Sequence, residues 1–315
     1  MADRRGPDAS AAGAPLPGAG DPTGSPVTAQ PPAGSGSSGG AGSGGRTKAG
    51  PDSRSRSRHW TAYIPPQHGA WAFLIVPLVV GFTLAPITSA GVAFALAWIL
   101  AYPVGYFGGR GLLVRIRRGS LTRLARREFR RGVPWAIALA LVGVPLLVAR
   151  PWLALAGFVV AAVWSASLVI TLRRSERDLG NDLVLVVLAV LAVPLVWLVS
   201  APGATPVGGF WPDFAAIPGE LWLATAATGT FLFGSVLHVK SLLREAGNVG
   251  FRRLSVGYHV VALVVFAVAS PWWLVGFGPA LIRSVLLRPG LRPAMIGAVE
   301  TVVAILFVVA AALVA

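Results

Sequence analysis

Ile64-Pro65-Pro66-Gln67-His68-Gly69-Ala70-Trp71 is the point where a charged, glycine-rich tail stops and an almost unbroken apolar chain begins. Two adjacent prolines cannot continue a helix backwards, so the chain reaches this point extended. Gln67 and His68 place two polar side chains where a helix would enter a bilayer, and Trp71 is the type of ring that sits at headgroup level. The junction therefore predicts a transmembrane domain over residues 59–315, built as an all-α polytopic helix bundle.

The tail before it, residues 1–58, is Gly, Ala, Ser and Pro with scattered charges, ending in the alternating Arg54, Arg56 and Arg58. Such a composition cannot bury a core, which predicts disorder. Arg4 and Arg5 are followed by Pro, Gly and Ala rather than an apolar stretch, so no signal peptide is expected at the start. The arginines nearest the membrane can touch anionic lipid, at about 1 kcal/mol each.

The whole chain of 315 residues is 55% hydrophobic and 12% charged, against about 25% charged in soluble domains. Lipid is the solvent such a balance requires. The absence of cysteine excludes disulfides, thiol catalysis and cysteine-based metal or iron–sulfur sites. The net charge of +15 is not read as nucleic-acid binding, because the basic residues fall in the tail and in alternate loops, which is the pattern of membrane topology.

A span needs about 17–25 apolar residues. Breaks at Pro, Gly and charge predict nine, at 69–86, 88–108, 133–149, 151–172, 182–200, 219–239, 255–269, 271–287 and 294–314. Only Ser270-Pro271 separates the seventh from the eighth, so these two could also be one kinked segment. Pro77, Pro103, Pro145 and Pro194 lie inside spans and predict kinks that a bundle tolerates. The 27 basic residues divide as seven in the tail, nine from Arg110 to Arg131, three after span four, four after span six and three after span eight, with Arg150 alone on the opposite side. The positive-inside rule then puts the amino terminus in the cytoplasm and the carboxyl terminus outside, in a bacterial cell membrane.

Polar residues left over gather at the cytoplasmic ends of spans. Gln67 and His68 open the first; Asp178, Asn181 and Asp182 lie in the turn into the fifth; His238, Lys240, Arg244 and Glu245 close the sixth; His259 starts the seventh. Burying such groups separately in lipid would cost several kcal/mol, so a shared cytoplasm-facing cavity is expected. In the sixth span Ala227, Thr230, Gly234, His238, Ser241 and Glu245 share a face of small and polar residues, which marks a helix interface or a cavity wall. The other face, with Leu232, Val236, Val239 and Leu243, is expected to meet lipid. Asp178 and Asp182, spaced i and i+4, could serve a magnesium or diphosphate site. Asn181 and Asp182 fit equally well as caps of span five, with ion pairs to Arg173, Arg174 and Arg177, and no metal is assigned. Glu300 lies about 9 Å into the last span, where an acid is functional or paired inside the bundle. Phe107-Gly108-Gly109-Arg110-Gly111 follows an apolar helix and lacks the Lys-Ser/Thr ending of a nucleotide loop. With Arg115, Arg117 and Arg118 it reads as a solvated basic loop that could hold an anionic headgroup.

Pro66-Gln67-His68-Gly69-Ala70-Trp71, with Glu176-Arg177 and Asn181-Asp182 downstream and then Gly234, Val239-Lys240 and Arg244-Glu245, resembles the YwiC-like family of bacterial integral membrane proteins. The resemblance runs from about residue 60 to 260 and implies no reaction. The layout of nine spans is loosely similar to that of UbiA-type prenyltransferases, whose loops after spans two and six carry aspartate motifs for magnesium and an isoprenyl diphosphate. Here the first of those loops offers only Glu128 and the second only Glu245, so ligands for that chemistry are missing. The candidate partners are the bilayer with an anionic lipid or an isoprenoid, and no cofactor is assigned. Three functions stay open: a YwiC-like protein with a polar cavity of unassigned role, a lipid or isoprenoid transferase, and a small-solute transporter. Haem held by His238 and His259 is a weaker fourth.

Overall fold

The computed structural model describes residues 62–65, 68–173, 178–201 and 214–315, and for positions 68 and 69 the backbone alone. The expected disordered tail, Gln67, Glu176 and Arg177 lie outside the described residues, as does the side chain of His68.

Ten α-helices follow in order: α1 His68–Thr83, α2 Ser89–Arg118, α3 Arg123–Ala149, α4 Leu153–Arg173, α5 Leu179–Val190, α6 Ala192–Ser200, α7 Gly219–Leu243, α8 Val249–Ala269, α9 Trp273–Leu286 and α10 Pro293–Val314. Among the described residues seven segments are long and apolar enough to cross a membrane, α5 and α6 counting as one, and α1 and α9 are shorter apolar helices. The expected polytopic helical bundle is thus present, with seven of the nine expected spans long enough to cross and the other two seen as shorter apolar helices. The break between α5 and α6 falls at Leu191, three residues before Pro194. Proline has no N–H for the carbonyl four residues earlier and its ring crowds that carbonyl, so the ladder opens there. Helices α1, α2, α3 and α9 run through Pro77, Pro103, Pro134 and Pro145, and Pro279. Side-chain oxygens of Thr88, Thr122 and Asn248 accept the first free N–H groups of α2, α3 and α8.

Two expectations change and one open choice closes. The basic segment after span two is not a loop: α2 continues to Arg118 and α3 begins at Arg123, leaving only Gly119–Thr122 as the turn. No proline or cap interrupts residues 108–118, so the helix goes on past the point where hydrophobicity ends. The glycines of Phe107-Gly108-Gly109-Arg110-Gly111 instead permit close packing of α2 on α3; a Cβ at Gly111 would stand 2.8 Å from the Phe129 ring. Spans seven and eight are separate, since Ser270 ends α8 in extended backbone and α9 returns along it as a hairpin. Third, α7 does not show a lipid face at Leu232, which is 2% exposed and packed in the core.

That last point follows from the place of α7, which packs against α1, α5, α6, α8, α9 and α10. The α2–α3 hairpin and α4 lie outside it, and Ile137, Leu141, Val148 and Phe158 there are exposed as a lipid-facing surface requires. Cross-links between helix ends define one basic end of the bundle. Arg117 donates to the Thr171 carbonyl at 3.5 Å, and Arg252 to that of Val285 at 2.9 Å. Toward the other end α7–α10 are joined by aromatic rings: Phe231 stacks on Phe307 at 4.2 Å, and Phe266 stacks on Phe277 at 4.9 Å beside a fully buried Trp273.

Candidate functional site

The candidate residues sort into two groups, one around the α4–α5 turn and the end of α7 and one between α7, α8, α9 and α10. In the first, Asp182 on α5 forms an ion pair with buried Lys240 on α7. Asp178 is the cap of α5, its carboxylate accepting the Gly180 N–H at 2.8 Å. Asn181 is buried, and its side-chain carbonyl accepts from the Ser167 hydroxyl of α4 at 2.6 Å. The expected capping chemistry therefore belongs to Asp178 rather than to Asn181 and Asp182, and Asp182 reaches across to Lys240 rather than back to Arg173. The two aspartates point to different partners, so their i, i+4 spacing does not make a common carboxylate face.

Glu245 accepts from the Asn248 side-chain amide at 3.1 Å, and its backbone N–H donates to the Lys240 carbonyl at 2.8 Å, which folds the end of α7 into the turn toward α8. Lys240, exposed Arg244 and Glu245 join Leu179, Leu243 and Phe251 around an open hollow of about 560 Å³. His238, His259 and Glu300 do not line it.

Those three form the inner group. His238 is fully buried, five residues before the end of α7. Its Nε2 lies 3.9 Å from a Glu300 carboxylate oxygen of α10, and its ring stands perpendicular to that of His259 at 6.4 Å between centroids. The approach of α8 is permitted by Gly234, where a Cβ would come within 3.1 Å of His259 Nε2. Tyr258 reinforces it by donating to the Thr230 carbonyl at 3.1 Å. So the small-residue stripe of span six is a helix interface, against α8. His259 Nδ1 lies 2.7 Å from the Ser255 carbonyl, which can only accept, so Nδ1 carries the proton and Nε2 faces the cluster.

Glu300 also has the partner that sequence reading left unnamed. Arg283 of α9 forms an ion pair with it, donates to the Ser235 hydroxyl at 2.9 Å, and lays its guanidinium over the Phe231 ring at 5.9 Å. Arg283 had been counted among the loop charges after span eight; it lies inside α9 and is buried. A signal was available, because it stands three residues before the end of an apolar span and Glu300 seven residues after the start of the next. Consecutive antiparallel helices place those positions at about 5 and 10 Å of depth, near enough to meet. Among the described residues, both His238 ring nitrogens, His259 Nε2 and Arg283 Nε have no hydrogen-bond partner. Buried polar atoms are normally satisfied, so a group of them without partners on α7, α8 and α9 is unusual.

At the rim of the α2–α3 hairpin a second carboxylate is buried. Glu128 accepts from Arg131 at 3.0 Å and faces Arg110 at 3.8 Å.

Residues 64–197 match the model of a family described as YwiC-like protein. Over 222 residues the chain is 25% identical to an uncharacterised protein of Haemophilus influenzae, covering 70% of this chain and 84% of the other. Over 227 residues it is 25% identical to the uncharacterised protein YwiC of Bacillus subtilis, covering 71% and 85%. No solved structure matches the chain. Arg283 and Glu300 lie beyond the segment that the family model matches, whereas the α5 turn lies within it. Residues 64–197 of the chain are thus similar to the YwiC-like family, and the chain is folded as a polytopic membrane helix bundle.

Proposed function

We propose that this protein carries a small polar solute across a bacterial cell membrane, and that the solute is held at the buried cluster of α7–α10 after approach from the basic end. The observation that carries the reading is the Arg283–Glu300 pair inside the bundle with His238 beside it. For stability alone such a pair is a poor device, since apolar replacements of buried ion pairs are often neutral or stabilising. Ionisable groups within a membrane typically mark solute or proton pathways. The arrangement is also one-sided: charges and the hollow lie toward the basic end and the aromatic layer toward the other. A carrier at rest open to one side has that asymmetry.

The basic end is assigned to the cytoplasm on the Lys and Arg bias, with the amino terminus inside and the carboxyl terminus outside. Removing Arg283 from the loop count leaves Arg288 and Arg292 in that turn, so the bias keeps its sign. A reporter at Ala315 should read outside and one at Gly119 inside; equal readings would overturn this orientation.

The carrier reading is tested in proteoliposomes with a panel of small anionic, cationic and neutral solutes, by currents on a solid-supported membrane together with labelled-solute uptake and a lumenal pH dye. Wild type should respond to at least one solute class, and Arg283→Met should lose the response. Silence across the panel would overturn the reading. The second reading, a lipid or isoprenoid transferase using the hollow at Lys240, Arg244 and Glu245, is weakened by the commitment of Asp178 to a cap and of Asp182 to Lys240. Native mass spectrometry showing a tightly co-purifying prenyl species, together with that silence, would favour it.

A further inference from the structure

We infer that the solute is a monovalent oxyanion, a carboxylate or a singly charged phosphate, which takes the place of the Glu300 carboxylate on Arg283 while Glu300 takes up one proton. This deepens the carrier reading and rests on it.

Arg283 is built as an oxyanion receptor. A guanidinium presents a planar fork that fits a carboxylate or phosphate with two parallel bonds, and this one is held in place by Ser235 at one edge and the Phe231 ring at its face. Its present oxyanion is Glu300. Arg283 Nε and His238 Nδ1 have no partner, and as N–H groups they can donate to an incoming anion, while His238 Nε2 is left to accept from Glu300. Arg252, Arg288 and Arg292 stand at the rim above, where positive charge raises the local concentration of anions.

Charge balance supplies the coupling. Arg283 and ionised Glu300 are neutral together. An anion added beside them would leave one uncompensated negative charge inside the bundle, a placement membranes penalise. If Glu300 first binds a proton from water at the basic end, its O–H forms, its ion pair with Arg283 is released, and the anion restores neutrality on the guanidinium. Nothing is oxidised or reduced. His238 Nε2, 3.9 Å from the Glu300 oxygen, is placed to accept that O–H after a small shift. The charged and titratable groups facing Glu300 are Arg283 from α9 and His238 from α7, with His259 of α8 behind His238 and Arg252 at the mouth. The described side chains of α1 contribute none, and α10 has no other ionisable residue.

The experiment uses the full chain in lipid nanodiscs, titrated with acetate, lactate and phosphate in weakly buffered solution, with thermal shift reporting binding and a pH electrode reporting protons. Wild type should take up about one proton per anion bound, and its affinity should fall about tenfold per pH unit above the titration of Glu300. Glu300→Gln should bind without proton uptake and without pH dependence. Wild-type binding with no proton uptake would overturn the exchange while leaving a carrier in place. Proteoliposome uptake of cations or neutral solutes, with no uptake of these anions and no anion-driven change of lumenal pH, would overturn the oxyanion assignment alone. Because the proton count is read on wild type, the outcome does not depend on whether Glu300→Gln folds.

Discussion

Two carboxylates in this molecule are each paired with arginine, and they are used in opposite ways. Glu128 is buried against the α2–α3 hairpin between Arg131, at 3.0 Å, and Arg110, at 3.8 Å, and the Arg110 side chain is 54% exposed. The field of that pair reaches water at the membrane rim, where arginines belong by the topology rule. Glu300 and Arg283 sit together under the rim, among His238, His259 and Ser235, with an aromatic layer beyond them. The residue types are the same and the depth differs. At the rim an Arg–Glu pair reports orientation; inside the bundle it needs a reason, and a binding site is the reason proposed.

The largest expected effect tests that difference directly. Arg283→Leu leaves the Glu300 carboxylate buried without its cation and should cost about 3–5 kcal/mol, read as thermal stability in nanodiscs. The corresponding rim change, Glu128→Gln, should cost less, about 1–3 kcal/mol, as a weakened charged hydrogen bond whose arginines reach water. Equal losses at the two sites would erase the distinction between them.

The comparison extends to the helices that carry these pairs. Leu232→Ala in α7 should cost about 2–5 kcal/mol as a core cavity. Leu141→Ala in α3, where the side chain is 72% exposed, should change stability by less than about 0.5 kcal/mol. A neutral Leu232→Ala would return that face of α7 to lipid. Between these extremes, Gly111→Ala drives a Cβ toward the Phe129 ring and should cost about 1–3 kcal/mol by loosening the α2–α3 hairpin.

The same contrast explains what could be read from the chain beforehand. The apolar segments of the bundle, seven of them long enough to cross, were legible because the thickness of hydrocarbon fixes how many apolar residues a crossing needs. The helical extension of α2 and α3 past the membrane was not, since loss of hydrophobicity was taken for loss of helix although no breaker separates Gly108 from Arg118. The burial of Leu232 was hidden for a deeper reason: lipid tails and neighbouring helices are equally apolar, so a leucine face looks the same toward either. A helix interface at Gly234 was one of two readings of its small-residue stripe, because small residues at helical spacing mark close approach, but the partner His259 was not legible. Glu300 was singled out by depth alone. Arg283 was absorbed into a count of loop charges, and only its position inside an apolar span distinguished it from Arg288 and Arg292.

The account stands or falls on whether Arg283 and Glu300 act as one unit inside the bundle. A double-mutant cycle of Arg283→Leu, Glu300→Leu and both together, read as thermal stability in nanodiscs, measures that most directly. The account predicts that the double variant recovers much of the stability lost by Arg283→Leu, with a coupling of about 2–3 kcal/mol. Losses that add within about 0.5 kcal/mol would contradict it.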